Sequence, residues 1–508
     1  MNSSRLTLAV AGTLILAACT ERADSPTAPI AAANASAEKT WVVAFKGNGL
    51  PSDVDQLVAA AGGKIVMRVP EIGGIAATSS NPNFGTAIKG SSSVQAADPA
   101  TETRLIEPSA DVGITSASDN GGSYSPTGSD AQAMPDPLGS EQWDKKKMNA
   151  TPAGSYGIQP GRRDVKVAIL DTGTDPSHID IAANFDAADS RSFSSTEPTI
   201  QDFNGHGTWC MSAVGAPING VGISGVAPNV TLVSLKVLNG TGGGFFIWTD
   251  AALVYAGQQH FDVASMSLGG YIPKKGDKAG GDHTDYILLQ RAVQFARSNG
   301  VLPVAALGND GFDLSDGNFF RYFVEAPGEI AGVVGVSATG YNDIKAFYSS
   351  YGSGKTDVSA PGGSTRDYRG LSGQPGPCPH ASLCRLIGAW SSTGTGAPAN
   401  PVEQCTGPGG TPPCFLYGYV QGTSMATPNA AGVAALIISQ YGNPHMSPTQ
   451  VEQILQISAN NQPCPEPNTV RQGPGLPDAE FATCQGNTGY NNFFGKGIVD
   501  ALKAVTLK

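Results

Sequence analysis

The sequence predicts an α/β fold, in which a parallel sheet carries helices on both faces, preceded by a small α+β unit. From about Asp136 onward, short strand-like runs alternate with longer helical runs, which is typical of a parallel sheet. Residues 40–98 carry a separate set of strand-like and helical segments. With 508 residues, of which 40% are apolar, the chain has enough material for a large core.

The composition excludes several classes of protein. The chain has 31 Lys and Arg against 42 Asp and Glu, a net charge of −11, whereas a protein that binds duplex nucleic acid needs a basic face. The sequence has no apolar run of about 18 residues, no Gly-X-Y period and no sustained heptad. A multi-span membrane protein, a collagen and a coiled coil are therefore excluded.

The amino terminus has the pattern of an export signal. Arg5 precedes the apolar stretch 6–18, which is too short to span a bilayer. The stretch ends in Leu-Ala-Ala-Cys at Cys19, which resembles the lipobox of bacterial lipoproteins, where the cysteine is lipidated. Ordinary secretory cleavage is the alternative. We expect a signal peptide over 1–18 and a tether over 19–39, in a protein that is secreted or is a cell-envelope lipoprotein bound to the membrane only through its lipid.

Residues 40–98 predict a small independent unit. The runs 41–45, 64–69 and 75–78 have the composition of strands. A helix that we expect Ser52 to cap lies between the first two runs, and a second short helix is predicted later in the unit. Residues 99–135 are rich in Ser, Gly, Asp and Pro, so we expect an exposed linker that contains a processing site.

Residues 136–508 are predicted to form one large domain. Helices are predicted over 249–259 and 286–298, and Ser447-Pro448-Thr449-Gln450 has the cap, the N1 proline and the N3 glutamine that open another helix. The predicted buried strands are Val165–Leu170, Leu232–Leu238, Val263–Leu268, Val301–Ala306 and Val333–Ala338.

Two polar residues directly follow predicted strands, at the edge where open α/β sheets place their active sites. Asp171 is a candidate catalytic carboxylate, and a turn aspartate is the alternative. Its Asp-Thr-Gly sequence also occurs in aspartic proteases. These enzymes need two carboxylates that share a proton, and the sequence has no second Asp-Thr-Gly or Asp-Ser-Gly motif. Asn309 could donate its side-chain amide to an oxyanion or could occupy an ordinary turn.

His206 and Ser424 have the surroundings of a base and a nucleophile. His206 is flanked by glycines, which leave an imidazole accessible as a general base needs, although it could be a plain loop residue. Ser424 precedes a short apolar run that predicts a buried helix. A serine at such an amino terminus is a candidate nucleophile, and a simple helix cap is the alternative.

Two further features concern binding and covalent structure. The segment Ser267-Leu268-Gly269 ends a predicted strand and leaves backbone groups to which an extended peptide could add. Six cysteines fall in the last third, and in an exported protein we expect disulfides between sequence neighbours. A zinc site that uses His380 is the alternative. The expected pairs are Cys378–Cys384, Cys405–Cys414 and Cys464–Cys484.

Taken in order, these motifs resemble those of the subtilisin-like serine peptidases. The resemblance rests on Asp-Thr-Gly, Gly-His-Gly-Thr, Ser-Leu-Gly-Gly, Gly-Asn and Gly-Thr-Ser-Met-Ala-Thr-Pro, and it covers about residues 136–508. Residues 40–98 are similar to the inhibitor-like propeptide of that family. The resemblance implies a three-layer, parallel-sheet subtilisin-like domain preceded by a ferredoxin-like propeptide.

The resemblance also implies a mechanism and a set of partners. His206 would take the proton of Ser424, Asp171 would orient the imidazole, and Asn309 would bind the oxyanion. Substrate would lie extended against 267–269. The family requires no cofactor, and structural calcium is common in it, so we assign no metal ligands. The expected partners are protein or peptide substrates and the chain's own propeptide. The enzyme is expected to be a monomer and to bind no nucleic acid.

Some residues depart from the family pattern. Trp209, Met211 and Ser212 differ from the usual residues, so we expect the helix that carries His206 to pack differently. Residues 362–416 have the length of an insertion. The competing functions are an inactive scaffold that serves as a surface-binding lipoprotein, and an esterase or acyl transferase that uses the same three groups.

Overall fold

A computed structural model describes most of the chain. The predicted signal peptide, Cys19 and most of the linker lie outside the described residues. The described residues are 38–105, 133–274, 283–366, 384–395, 401–442, 446–472 and 481–507, together with the backbone of 368–369 and 375–376.

The amino-terminal unit is an antiparallel sheet of four strands with two helices. The elements are β1 (Lys39–Phe45), α1 (Val54–Ala60), β2 (Lys64–Val69), β3 (Gly74–Ser79), α2 (Phe84–Ile88) and β4 (Val94–Pro99). Their order along the chain is βαββαβ, and the strand order β2-β3-β1-β4 is that of a ferredoxin-like unit. The predicted Ser52 cap is wrong, because the helix begins after Asp53 and no side chain caps it.

The segment predicted as an exposed linker contains a short strand, β5 (Glu102–Leu105). It pairs with two strands of the large domain and with none of the amino-terminal sheet. Its low apolar content gave no strand signal, because the pairing depends on backbone groups of a distant part of the chain.

The large domain is built on a parallel sheet of seven strands and also contains a second sheet of four strands. The strands are β6 (Lys166–Asp171), β7 (Arg191–Ser192), β8 (Thr231–Lys236), β9 (Gly243–Phe245), β10 (Val263–Met266), β11 (Leu268–Pro273), β12 (Leu302–Ala306), β13 (Phe323–Ala326), β14 (Val334–Thr339) and β15 (Val358–Pro361). The parallel sheet has the order β15-β14-β12-β10-β6-β8-β7, and the second sheet consists of β5, β9, β11 and β13.

Helices cover both faces of the parallel sheet, as predicted. They are α3 (Trp143–Lys147), α4 (Ile179–Ala182), α5 (His206–Gly215), α6 (Phe246–Gln258), α7 (Thr284–Ser298), α8 (Thr423–Tyr441), α9 (Pro448–Ser458) and α10 (Ala501–Thr506). Alternate residues of a strand point to opposite faces, so Val167 and Ile169 pack with α5 and α8, while Ala168 and Leu170 pack with α6 and α7.

Most boundaries agree with the sequence prediction to within a few residues, with one consequential difference. The predicted strand 263–268 is two strands, because β10 ends at Met266 and β11 begins at Leu268 in a different sheet. The helix α9 has the predicted capping box, in which the Ser447 hydroxyl accepts from the Gln450 amide. No helix among the described residues is long and apolar enough to cross a membrane.

The region predicted as an insertion forms a small antiparallel sheet on the helix α5. The small strands of the last third are β16 (Tyr368–Arg369), β17 (Pro375–Gly376), β18 (Leu386–Trp390), β19 (Val402–Gly407), β20 (Thr411–Val420), β21 (Thr469–Arg471), β22 (Phe481–Thr483), β23 (Gly486–Asn487) and β24 (Tyr490–Asn491). The sheet on α5 has the order β18-β20-β19. Trp209 Nε1 donates to the Gly418 carbonyl over 3.1 Å, and Ser212 Oγ accepts from the Ala389 amide over 3.0 Å. Trp209 and Ser212, which depart from the family pattern, therefore form hydrogen bonds with this sheet.

Disulfides hold the irregular segments of the last third. Cys405 is bonded to Cys414 and Cys464 to Cys484, and Cys384 is also in a disulfide. A disulfide-bonded Cys384 is not a zinc ligand. Both Cys378 and His380 lie outside the described residues.

Candidate active site

A buried carboxylate–imidazole pair lies at the carboxyl end of the central sheet. Asp171 is the last residue of β6 and His206 the first residue of α5. His206 Nδ1 and Asp171 Oδ1 are 2.8 Å apart, and the two residues are 6% and 1% exposed. Gly205 precedes α5 with φ of 113°, and a Cβ there would lie 2.2 Å from the Trp390 ring, so only glycine fits.

The pair is electrostatically asymmetric. Burial lowers the pKa of His206, but the adjacent Asp171 charge opposes this effect, and the net pKa lies well above its ordinary value. Asp171 therefore favours the imidazolium form, which is the form that His206 takes after accepting a proton. The Thr172 amide donates to Asp171 Oδ1 over 2.7 Å and helps to fix the carboxylate.

Ser424 lies in the first turn of α8, beside this pair. Cys210, a buried free cysteine, has its sulfur 3.7 Å from both His206 Nδ1 and the Ser424 carbonyl oxygen. The Ser424 hydroxyl lies 3.3 Å from the Ser267 carbonyl oxygen, to which it can donate. Asp171 and His206 are thus in direct contact, and Cys210 lies between this pair and the Ser424 backbone, which is at the positive end of a 19-residue helix.

Pro428 explains how the backbone of Ser424 is held. The predicted helix begins at about this proline, but α8 begins five residues earlier and contains Pro428 in its interior. Proline has no N–H to donate to the carbonyl four residues before it, which here is that of Ser424. The Ser267 hydroxyl donates to this carbonyl over 2.7 Å instead.

Asn309 lies beside the same helix terminus. It follows β12 after Gly308, whose φ is 99°. Its Oδ1 accepts from the Thr423 amide over 2.9 Å and from the Thr423 hydroxyl over 2.8 Å. These bonds orient the amide so that Nδ2 lies 3.2 Å from where a Cβ on Gly422 would be. The donor end of Asn309 is therefore directed toward the residues that precede Ser424.

The segment 267–269, which is predicted to bind substrate, pairs with the chain's own strand β5. Leu105 and Arg104 pair with Leu268 and Gly269, and on the other side β5 pairs with β9. The Leu105 amide donates to the Gly242 carbonyl over 2.8 Å. The strand β5 thus fills the cleft between β9 and β11 as a middle strand. Its last residue, Leu105, lies opposite Leu268, the residue that follows Ser267.

The loop before His206 depends on Asp202, which the sequence analysis did not single out. Its carboxylate accepts from the Thr172 hydroxyl over 2.9 Å, from the Gly205 amide over 2.8 Å and from the Thr208 amide over 2.9 Å. It therefore ties the end of β6 to the start of α5. An aspartate shortly before a helix is a capping signal that could have identified it.

Among the described residues, two groups of side chains have the spacing of metal ligands. One consists of Asp171, His206 and Cys210, and the other of Glu403 with the disulfide-bonded Cys405 and Cys414. Calcium prefers six to eight oxygen ligands, so neither group suits it. Structural calcium therefore stays a prediction without assigned ligands.

A buried carboxylate–imidazole pair next to a helix-terminal serine is suited to activating that serine as a nucleophile, which is the chemistry of a serine hydrolase. The sequence model of the subtilase family (Peptidase_S8) matches residues 162–497, and the chain belongs to this family of serine endopeptidases.

Known relatives agree with this assignment. Alkaline elastase YaB of Bacillus sp. (strain YaB) is 34% identical over 67% of this chain and 70% of its own length. Subtilisin Savinase of Lederbergia lenta is 32% identical over 67% of this chain and 98% of its own.

Solved structures share the fold over more of the chain. The epidermin leader peptide processing serine protease of Staphylococcus aureus covers 92% of this chain and 98% of its own, with a TM-score of 0.66 at 22% identity. Fervidolysin of Fervidobacterium pennivorans covers 93% and 61%, with a TM-score of 0.64 at 21% identity. These matches extend well beyond residues 162–497.

Proposed function

We propose that Ser424 is the nucleophile of an endopeptidase in which His206 is the general base and Asp171 its orienting carboxylate. The single observation that carries this proposal is the 2.8 Å contact between His206 Nδ1 and buried Asp171 Oδ1. Ser424 is near this pair, because the Cys210 sulfur lies 3.7 Å from both His206 Nδ1 and the Ser424 carbonyl oxygen. Because Nδ1 donates its proton to Asp171, Nε2 is left to take the proton of Ser424.

The proposed reaction is acyl transfer to water. Ser424 Oγ attacks the scissile carbonyl while His206 accepts its proton, and the same proton then passes to the leaving amine. Asn309 and the Ser424 amide stabilise the oxyanion. Water finally hydrolyses the acyl-enzyme. The substrate is proposed to bind against 267–269 as β5 does. A peptide p-nitroanilide compared with a short ester distinguishes this endopeptidase from an esterase.

We also propose that residues 40–98 are a propeptide that inhibits the enzyme and assists its folding. Three polar contacts with α7 support this. Arg291 Nη1 donates to the carbonyls of Phe45 and Ile72 over 2.9 and 2.8 Å, and Asp98 accepts from the Thr284 amide over 3.0 Å. The adjoining strand β5 fills the cleft like a product.

Self-cleavage is proposed to release this propeptide from the large domain. Because Leu105 pairs with Leu268, a substrate residue one position further along this antiparallel register would come opposite Ser267, whose carbonyl oxygen lies 3.3 Å from Ser424 Oγ. We therefore expect the mature amino terminus to lie one or two residues beyond Leu105. Added in trans, residues 38–105 should inhibit the processed enzyme, and failure both to inhibit it and to aid its refolding would contradict the proposal.

Export rests on the sequence alone, and we propose it with the signal peptide at 1–18 and lipidation of Cys19. If the propeptide carries the lipid, self-cleavage frees the peptidase from its anchor. Metabolic labelling with a fatty acid tests this, because label should appear on the cleaved amino-terminal fragment and should be absent from a Cys19→Ala variant.

Propeptide binding is expected to weaken as the pH rises, because buried carboxyl groups lie at the contact. Asp285 accepts from the Thr101 amide over 2.9 Å. Burial, together with the charge of Asp98, raises the pKa of Asp285 to about 7. Burial and the nearby Asp285 raise the pKa of Asp250 well above its ordinary value. Because Thr101 and Asp98 belong to the segment that is removed, the complex holds a proton on Asp285 that the separated large domain loses.

The direction follows from linkage. A carboxyl group whose pKa is raised in the complex favours binding fully below the pKa that it has in the separated domain, and this contribution is lost as the pH rises through about 7. The inhibition constant should increase by up to about tenfold per pH unit for each carboxyl group. Asp285→Asn should flatten the profile, and exposed Asp316→Asn should not. A flat wild-type profile between pH 5 and 7 would contradict the prediction.

A further inference from the structure

A second acidic cluster lies beside the cleft and has no part in the proposed mechanism. It consists of Asp310, Glu325 and Glu329. Glu329 is paired with Lys355, with 2.7 Å between Oε1 and Nζ, and Asp310 accepts from the Tyr271 hydroxyl over 2.7 Å. Glu325 is 2% exposed, and no lysine or arginine of the described residues forms an ion pair with it.

Glu325 lies next to the reaction centre. Its carboxyl carbon is 3.3 Å from where a Cβ on Gly308 would be, and Gly308 immediately precedes Asn309. It is also connected to the cleft through β11. The first residues of β11 pair with β5, and its later residues pair with β13, where Tyr271 lies opposite Glu325. One strand therefore forms both the edge of the cleft and the neighbour of this carboxyl group.

The strand in the cleft shows which side chains face this cluster. Thr103 and Leu105 are buried, whereas Arg104 projects from the opposite side of β5 and is exposed. Arg104 is near enough to the cluster for its charge to lower the pKa of both Glu325 and Tyr271, against the larger opposite effect of burial. In a bound substrate, the residue two positions later projects to the same side. That residue comes opposite Ser267 and supplies the attacked carbonyl.

Burial, followed by the charges of Asp310 and Glu329, raises the pKa of Glu325 well above its ordinary value. The Gly270 amide donates to its carboxylate and the Arg104 charge lowers its pKa in part, but no lysine or arginine of the described residues forms an ion pair with it. A buried carboxylate is costly unless a cation pairs with it. A guanidinium or ammonium group from a ligand would supply that charge, and arginine could do so through two parallel hydrogen bonds.

We propose that Glu325, assisted by Asp310, forms an acidic subsite that selects substrates with arginine or lysine at the residue whose carbonyl Ser424 attacks. This inference rests on the proposed function and names the substrate class of the same site. Neither Ile106 nor Glu107, which follow β5 in the sequence, is basic. The first cut is intramolecular and gains its rate from proximity, so it does not need this selection.

The test uses processed enzyme and peptides that differ only at the residue before the cleaved bond. That residue is arginine, lysine, leucine or citrulline, the last being a neutral relative of arginine. The wild type should cleave the arginine peptide with a kcat/KM at least about tenfold above that for citrulline. Glu325→Gln should reduce the arginine-to-leucine ratio by about 30-fold or more, since truncating one partner of a buried charge pair has effects of this size.

Two further variants keep the test decisive. Asp310→Asn should lower the same ratio by a smaller factor, and Asp316→Asn, which removes an equal charge from an exposed position, should leave it unchanged. Cleavage of the leucine peptide reports whether each variant is folded. A wild type that cleaves leucine or citrulline peptides as well as arginine peptides would overturn the inference and leave the proposed function intact. If no peptide is cleaved in a Ser424-dependent manner, the proposed function fails and the inference fails with it.

Discussion

Replacement of Ser424 by alanine is expected to lower kcat by about 10⁶-fold, with little change in the binding of peptide substrates. In subtilisin, loss of the nucleophile or of the base lowers kcat by a factor of this order. Ser424 is buried here and is proposed to have the same role. The hydroxyl supplies the only proposed nucleophile, while the strands that bind substrate are untouched.

The measurement is single-turnover hydrolysis of a peptide p-nitroanilide. His206→Ala should lose about as much activity as Ser424→Ala, and the double variant should lose no more than either single variant, because the two groups act as a unit. Ser392→Ala is a suitable control, since Ser392 binds Asp175 and does not contact the site. A Ser424→Ala enzyme that retained more than about 1% of wild-type kcat would refute the assignment of the nucleophile.

Replacement of Asp171 by asparagine is expected to lower kcat by about 10⁴-fold. The amide is nearly the same size as the carboxylate, but it can donate to His206 Nδ1 and so stabilise the tautomer that cannot act as a base at Nε2. It also removes the charge that raises the pKa of His206.

The residual activity should have a diagnostic pH profile. Because Asp171 raises the pKa of His206, its replacement should move the acid limb of kcat/KM toward lower pH. Asp175→Asn, at a neighbouring aspartate that binds Ser177 and Ser392, is the matched control. Unchanged kcat in Asp171→Asn, or an acid limb that moved to higher pH, would show that Asp171 does not orient and charge-stabilise the imidazole.

The central sheet, and the positions of Asp171, His206 and Ser424 at the ends of its strands and helices, could be predicted because these features depend on local sequence. Buried parallel strands have continuous apolar runs, and their carboxyl ends converge on one edge. The start of α8 was placed too late, because Pro428 has the sequence signature of a first helical residue. Its interior position is tolerated since Ser267 satisfies the carbonyl that the proline leaves free.

Features that depend on pairing between distant segments could not be predicted. The strand β5 has no apolar periodicity and is defined only by its bonds to β9 and β11. Glu325 reaches the cleft through the pairing of β13 with β11, more than fifty residues earlier in the chain. A charged residue in a loop-rich stretch gives no sign of such a register, so neither feature has a signal in one sequence.

The most direct test of the account is the intact mass of the chain that begins at residue 20, made as the wild type and as Ser424→Ala. We predict that the wild type is cut one or two residues beyond Leu105 and that Ser424→Ala stays at full length. Retention of the full-length mass by both proteins, or the same cut in both, would contradict the claim that Ser424 cleaves its own chain.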